Sequence, residues 1–556
     1  MASTLQEIEA RLLAPSGPFE TCEEEVLGEP VQVFAERPRS LVEILRGSGG
    51  HGDAAYIVCD ERRFSYAEHL ARVAALARSL REEFGVGRGD RVAILAANHP
   101  EWIATYWATL SLGAVAVGLN GWWAADEIVY GVEDCEPRVL VADRKRLARV
   151  EDRDLAVPVV EIESDFEPLW SGAAPLCEVE IEEDDAATIL YTSGTTGRPK
   201  GAVTTHRSIL AFLRVSLFHG LRLLLQQNAR GETPPSEAAA PCMLVNAPLF
   251  HVSGLFSGAV IPLATGIKTV WTTRRFEPAH VLALLERESV THWGPMGNMI
   301  HRLAAYPGLE RFDLSRMRSV GSGGAPIGEE QFALMRRVFP EARSSLGVGY
   351  GMTESSSGVT IISGEELEQR PGSVGRPLPT VELEIRDADG KPVPDGVEGE
   401  VYLRGPQVMK EYWRRPEATR EAIGPGRWLR SGDWGRLQEG FLYVNSRRRD
   451  LILRGGENVH PAEIEDCLES HASVREVAVL GVEHPELGQE VKAVIVPVPG
   501  ALLDPEILRS HVAERLAYYK VPAHWELREQ PLPRNAAGKV LKHLLVEGGV
   551  SPFLEE

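Results

Sequence analysis

Short apolar runs alternate with stretches of helical period through the first three hundred residues. RVAIL (91–95), AVAVGL (114–119), VLVAD (139–143) and ATILYT (187–192) have the length and the branched side chains of buried strands, and a helical segment opens at Glu101. Such alternation predicts an α/β fold of layered units with parallel sheets. Between about 375 and 445 the pattern changes to short strands broken by Gly and Pro, as in VELEIRDADGKPVPDGVEGEVYLRG (381–405). That stretch predicts a small antiparallel or barrel-like unit with no evident helix. A third change comes at SRRRDLILRGG (446–456), where four arginines crowd a turn-rich segment. Beyond it lie a helix from Pro461, strands VREVAVL (474–480) and EVKAVIVPV (490–498), and an amphipathic helix near 505–516. The expected organisation is a large N-terminal domain over 1–447, with its β-rich subdomain at about 375–445, and a small α+β C-terminal domain over 448–556.

One uncharged stretch, 102–125, imitates a membrane span. Gly113, Gly118, Asn120 and Gly121 divide it, which predicts a buried helix followed by a buried strand and no transmembrane segment. At 556 residues the chain has room for three or four structural units, and its 44% hydrophobic and 25% charged residues are ordinary globular usage. Eighty acidic residues against 59 basic ones leave a formal charge of −21, which speaks against nucleic acid as a partner. An anionic ligand must then be held by a few local cations and backbone amides. The six cysteines have no CxxC or metal-ligand spacing, and the first residues carry acids where an export signal needs bases, so a reduced cytoplasmic protein is expected.

The strongest local signal is YTSGTTGRPKG (191–201), which follows the strand ATILYT and precedes a helix opening near Thr205. Gly194 and Gly197 tolerate the left-handed torsions of an anion nest, so the segment reads as a phosphate cradle between strand and helix. It is not the common P-loop, because Pro199 precedes Lys200 and Gly201 follows it. GSGGHG (47–52) fits GxGxxG but has neither a strand before it nor a helix behind it, and the chain holds no GxSxG or HExxH.

Four more segments follow in order: PLFHVSG (248–254), GYGMTES (349–355), WLRSGDWG (428–435) and PRNAAGKV (533–540). With YTSGTTGRPKG they make the chain resemble the adenylate-forming superfamily of acyl-CoA synthetases, firefly luciferase and peptide-synthetase adenylation domains. The resemblance spans 191–539 and implies a nucleotide site. Thr192, Ser193, Gly194, Thr195, Thr196 and Lys200 would surround the phosphates. Tyr350 would stack on adenine within Gly349, Gly351 and Met352, Thr353 would bond phosphate, and Glu354 would hold Mg²⁺. The chemistry agrees, since Tyr350 offers a flat face and Glu354 a hard oxygen ligand. An ordinary core aromatic is the competing reading of Tyr350. GSGGAPI (321–327), with Gly323, Gly324, Ala325 and Pro326, resembles the loop on the other side of adenine. Asp433 resembles the carboxylate that accepts the ribose hydroxyls, and Arg447 the arginine that meets ribose and phosphate, with a solvated arginine as the alternative. Lys539 resembles the lysine that bridges the carboxylate and the α-phosphate during adenylation.

In the acyl-CoA synthetase branch the resemblance implies ATP, Mg²⁺ and coenzyme A, with LRGGENVHPAEIE (453–465) lying along pantetheine at Gly455, Gly456 and Glu457. The pivot falls on Arg449, although Ser446-Arg447-Arg448-Arg449-Asp450 departs from the usual Gly before the arginine and from the Asp or Lys at the pivot. Amino-acid-activating relatives carry an Asp after the Phe of PLFHVSG. Here His251 stands there and resembles an aromatic gate at the carboxylate end of the pocket, with an ordinary core histidine as the competing reading. Trp293, Met296 and Met299 would form an apolar, adaptable wall, which predicts a hydrophobic acid, fatty or bulky and cyclic. Transfer to a carrier protein, or aryl acids such as benzoate or hydroxycinnamate, are the alternatives within the family. Release of ADP by a phosphotransferase is the alternative outside it. The resemblance also implies a homodimer.

Overall fold

The computed structural model describes residues 5–192, 199–231, 240–295, 299–323, 329–447, 450, 452–454, 457–459, 461–484, 487–501, 503–516, 518–534 and 540–546. Two large sheets organise the first 447 residues. In the first, Ala186–Thr192, Val115–Gly118, Arg91–Leu95, Val139–Ala142 and Val159–Glu161 lie side by side in that order and all parallel. Lys200–Thr205 folds back antiparallel on Ala186–Thr192, and Glu411–Tyr412 extends that edge. In the second, Leu346–Met352, Ser319–Gly323, His292–Trp293, Cys242–Val245, Lys268–Trp271 and Ala55–Cys59 run parallel. Antiparallel strands close both of its ends.

One apolar core joins the two sheets. Helix Pro100–Ser111 is buried on every side, with Trp102, Tyr106 and Trp107 fully enclosed, and the strand Val115–Gly118 after it is buried throughout. The uncharged stretch is therefore interior from Trp102 to Leu119, and it reaches the surface at Ala124. Helix His206–Ala229 is the one described helix long and apolar enough to cross a membrane, and half of its most apolar window is buried against the protein. Truncating a fully buried aromatic in such a core costs about 3–5 kcal/mol.

Two expectations change. The segment after Thr192 does not lead straight into a helix: Lys200–Thr205 is a strand, so residues 193–199 connect two antiparallel strands. The helix itself opens at His206, beside Thr205 as expected, and the Thr205 hydroxyl caps the Ser208 amide. The β-branched AVTT run carries the strand, which the preceding Lys200 and Gly201 disguise. The β-rich stretch forms a four-stranded antiparallel sheet of Glu382–Arg386, Gly399–Arg404, Leu429–Gln438 and Phe441–Arg447, but it also holds helix Pro416–Ala422. That helix has no buried residue, so no apolar period announces it.

The chain after 450 forms its own five-stranded sheet around the antiparallel pair Val474–His484 and Gly488–Pro497, with His524–Leu527 parallel beside the latter. Alternate residues serve opposite faces. Val477, Val479, Val491 and Ile495 pack on helices Pro461–Glu469 and Pro505–Ala513, whereas Ala478, Leu480, Val494 and Val496 meet Leu532 and Leu545.

Candidate active site

In parallel sheets the loops after the carboxyl ends of the strands gather on one edge, where ligands of α/β proteins bind. Here those loops carry the sequence signals. Residues 193–199 follow Ala186–Thr192, the turn at 248–251 follows Cys242–Val245, and Thr353–Ser355 follows Leu346–Met352. The described residues Pro199, His251, Thr353 and Glu354 of these loops border a single cavity of about 1600 Å³. Thr192, Lys200, His251, Trp293 and residues 349–354 line it from the large domain, Leu480, Gly481 and Gln489 line it from the C-terminal sheet, and Asp450, Val540 and Lys542 line it from turns beside that sheet.

The Tyr350 strand is built to lie close to its neighbours. Gly323 pairs with Gly349 and Gly321 with Gly347 across parallel strands, and a Cβ at Gly351 would overlap the Ser357 carbonyl. The Tyr350 hydroxyl donates to Asp433 Oδ2 at 2.7 Å, which joins the second sheet to the four-stranded one. Asp433 is buried, and Arg447 is its register partner across strands Leu429–Gln438 and Phe441–Arg447. Glu354, also buried, accepts a hydrogen bond from the Tyr412 hydroxyl on Oε1 at 2.7 Å. The Lys200 ammonium lies 5.2 Å above the Tyr412 ring. One tyrosine thus touches both the lysine and the glutamate that the sequence singles out.

A family model for AMP-binding enzymes matches residues 46–413, and one for the AMP-binding enzyme C-terminal domain matches 463–539. The chain belongs to the AMP-binding enzyme family. Feruloyl-CoA synthase of an Amycolatopsis species is 36% identical over 486 residues, covering 86% of this chain and 92% of that protein. 2-Succinylbenzoate–CoA ligase of Geobacillus kaustophilus is 37% identical over 499 residues, covering 88% and 94%. Among solved structures, O-succinylbenzoate coenzyme A synthetase from Bacillus subtilis, in complex with ATP and magnesium ion, superposes with a TM-score of 0.77 at 30% identity, covering 92% of this chain and all of that one.

In this AMP-binding enzyme the flanks of the segment at 193–198 are tied down by residues that the sequence does not advertise. Tyr191 donates to Asp134 Oδ2 at 2.8 Å, and Tyr130 donates to the Pro199 carbonyl at 2.9 Å. Arg415 reaches both, bonding Asp134 Oδ1 at 2.5 Å and the Tyr130 hydroxyl at 3.3 Å. Burial raises the Tyr191 phenol far above its ordinary pKa, so it stays a donor. His251 sits in the cavity wall against Phe250, ring centroids 4.7 Å apart. Burial pushes its pKa down to about 4, and its Nε2 is buried with no hydrogen-bond partner among the described residues.

Of the apolar wall, Trp293 lines the cavity and donates to Asn246 Oδ1 at 3.1 Å. Met299 instead packs against the core of the second sheet, where its sulfur accepts from Asn246 Nδ2 at 2.7 Å. Ser193, Gly194, Thr195, Thr196, Met296, Gly324, Ala325, Pro326, Arg449, Gly455, Gly456 and Lys539 lie outside the described residues. Glu457 is described by its backbone alone, in strand Glu457–Val459. The stretch holding Lys539 is bracketed by the paired residues Arg534 and Val540, and Val540 borders the cavity.

Proposed function

We propose that this AMP-binding enzyme is an ATP-dependent carboxylate:CoA ligase, an acyl-CoA synthetase acting on a fatty or aryl acid. The observation that carries the reading is the convergence of Thr192, Lys200, the 349–354 strand end and the Tyr350–Asp433 pair on one cavity that the C-terminal sheet also borders. In the first half-reaction the carboxylate oxygen attacks the α-phosphorus of ATP, the bond to the β-phosphate oxygen breaks, and pyrophosphate leaves acyl-AMP. In the second, the CoA thiol attacks the acyl carbonyl and AMP departs as the thioester forms.

Two anions must meet in the first step, so the residues have to supply positive charge and donors. Tyr350 offers a face to adenine, Asp433 accepts ribose hydroxyls, and Lys200, Thr192 and Thr353 meet phosphate oxygens. Lys539 is proposed to bridge the carboxylate and the α-phosphate. Loss of one such group costs roughly 3–4 kcal/mol in the transition state. Glu354 suits Mg²⁺: it is buried, only its Oε1 is taken by Tyr412, and no group of three or more His, Cys, Asp or Glu that could hold a metal occurs among the described residues. That donor set matches an ion held by one carboxylate and substrate phosphates. When bound, Mg²⁺ neutralises charge on the transferred phosphoryl group. His251, neutral and with its Nε2 unpartnered among the described residues, would gate the carboxylate end of the acyl pocket.

The Gly455–Gly456 turn and Glu457 are proposed to line the pantetheine path after the small domain rotates about Arg449, with the domain boundary near 448. Free CoA is the preferred acceptor over a carrier protein. The six free thiols support a cytoplasmic location, and a homodimer is proposed on family resemblance. The test is acid-dependent exchange of pyrophosphate into ATP across aliphatic and aryl acids, followed by a CoA chase. Acyl-CoA and AMP are expected without any added carrier. ADP as the sole nucleotide product would overturn the reading.

A further inference from the structure

Helix His206–Ala229 turns one stripe toward the cavity: Phe212, Val215, Ser216 and His219, spaced three, four and seven residues apart. Phe212 marks the nucleotide end. Its ring lies 3.8 Å from where a Cβ would stand at Gly358, and Gly358 pairs with Gly351 of the Tyr350 strand. His219 lies two turns further along, about 10 Å away by helical rise. Val215, Val245 and Ile261 line the cavity with them. The far end is therefore polar, which an all-apolar chain does not require.

The protonation of that imidazole is set by its neighbour. Arg222 Nη2 lies 3.1 Å from His219 Nδ1, and a guanidinium can only donate, so Nδ1 accepts. Arg222 is itself buried and fixed by Glu9, whose Oε1 is 2.7 Å from Nη1. Burial first, and the Arg222 charge second, push the ring's pKa down to about 3, so it is neutral and carries its one proton on Nε2. Arg222 is its only hydrogen-bond partner among the described residues. One turn back, the Ser216 hydroxyl donates to the Phe212 carbonyl at 2.8 Å, which leaves its lone pairs to accept. A donor and an acceptor thus stand on one face of one helix. A hydroxyl group is both and satisfies the two together.

We propose that His219 and Ser216 form the distal subsite of the acyl pocket and select an aromatic acid that carries a ring hydroxyl remote from its carboxylate. The proposal rests on the ligase reading above. An alkyl chain, or a ring without the oxygen, leaves the Nε2–H desolvated and unpaired, which lowers kcat/KM about five- to hundredfold.

The test uses the full chain with ATP, Mg²⁺ and CoA, and compares kcat/KM for 4-hydroxycinnamate, cinnamate and dodecanoate in wild type, His219→Phe and His219→Gln. Wild type is expected to favour the hydroxylated acid over cinnamate by about tenfold or more. His219→Phe should bring that ratio near one, mainly by raising KM for the hydroxylated acid. His219→Gln keeps an N–H donor and should recover part of the preference, which damage to folding cannot do. Equal kcat/KM for the two cinnamates in wild type, a preference for dodecanoate, or an unchanged ratio in His219→Phe would overturn the subsite while leaving the ligase reading intact. Absence of acid-dependent pyrophosphate exchange with every acid would overturn the ligase reading, and the subsite with it.

Discussion

The Tyr350 hydroxyl and Asp433 Oδ2 are 2.7 Å apart, a bond between two residues 83 positions apart in the chain. The backbone amide of Asp433 is also held, by Ser431 Oγ at 3.0 Å, so its carboxylate has a fixed aim. Tyr350→Phe keeps the flat face for adenine and removes only the donor that orients Asp433. A hydrogen bond of this kind contributes about 1–1.5 kcal/mol. KM for ATP in pyrophosphate exchange should rise about five- to tenfold with kcat within about twofold. An unchanged KM would mean that the hydroxyl has no part in presenting Asp433 to ribose.

Tyr412 joins Lys200 to Glu354 through two different parts of its side chain, the ring face and the hydroxyl. Tyr412→Phe separates them, because the ring under the ammonium stays and the bond to Glu354 Oε1 goes. The Mg²⁺ concentration for half-maximal adenylation should increase about three- to tenfold while saturating Mg²⁺ restores most of the rate. A Mg²⁺ titration of acyl-AMP formation decides it. A loss of rate that excess Mg²⁺ does not repair would place Tyr412 with the phosphates instead.

The residues legible in the sequence are those whose chemistry is concentrated in a short run. YTSGTTGRPKG and GYGMTES each pack several unusual residues between strand and turn, and the alternating runs around them read as parallel strands because both faces are buried. Tyr412, Asp134, Arg415 and Tyr130 had no such signature. Each is one ordinary polar residue on its own element, and the contact with the 193–198 flanks exists only once Ala125–Cys135 and Glu411–Tyr412 are folded against Ala186–Thr192 and Lys200–Thr205. His219 was hidden for another reason: in a long apolar helix a histidine between apolar residues has no signature of its own, and only its seat on the cavity beside a buried arginine gives it a fixed proton. Met299 shows the converse. An apolar residue near a site motif can as well face the core.

Buried neutral histidines make stability depend on pH in a defined direction. Burial lowers the pKa of His69 to about 3 and that of His206 to about 4, from an ordinary 6.5. The unfolded chain takes protons on these rings below pH 6.5 and the folded chain does not, so their contribution is full above that pH and declines as pH falls toward 4. Each ring should remove about 2 kcal/mol of stability between pH 7 and pH 5. His69 packs edge-on against Tyr56 with its Nε2 buried and unpartnered among the described residues. His69→Leu should therefore lessen the pH dependence of the unfolding free energy, measured by urea denaturation, by that amount, whatever it does at pH 7. The same slope in both proteins would show that His69 is protonated inside the fold.

The proposed use of one cavity for two half-reactions makes opposite demands on two residues of the C-terminal region. Lys539 is assigned to the step in which negative charge gathers at the α-phosphate, and it has no role once acyl-AMP exists. Gly456 is assigned to the path of pantetheine, where any side chain would obstruct the thiol but leave adenylation alone. Lys539→Ala should cut acyl-AMP formation about a hundred- to thousandfold and still convert supplied acyl-AMP and CoA to thioester. Gly456→Leu should adenylate at close to the wild-type rate and fail in the CoA step. Measuring the half-reactions separately, by pyrophosphate exchange and by thioester formation from synthetic acyl-AMP, distinguishes this from a single fixed geometry. In a fixed geometry both variants would lose both steps together, because every group around the cavity would serve the same bound state.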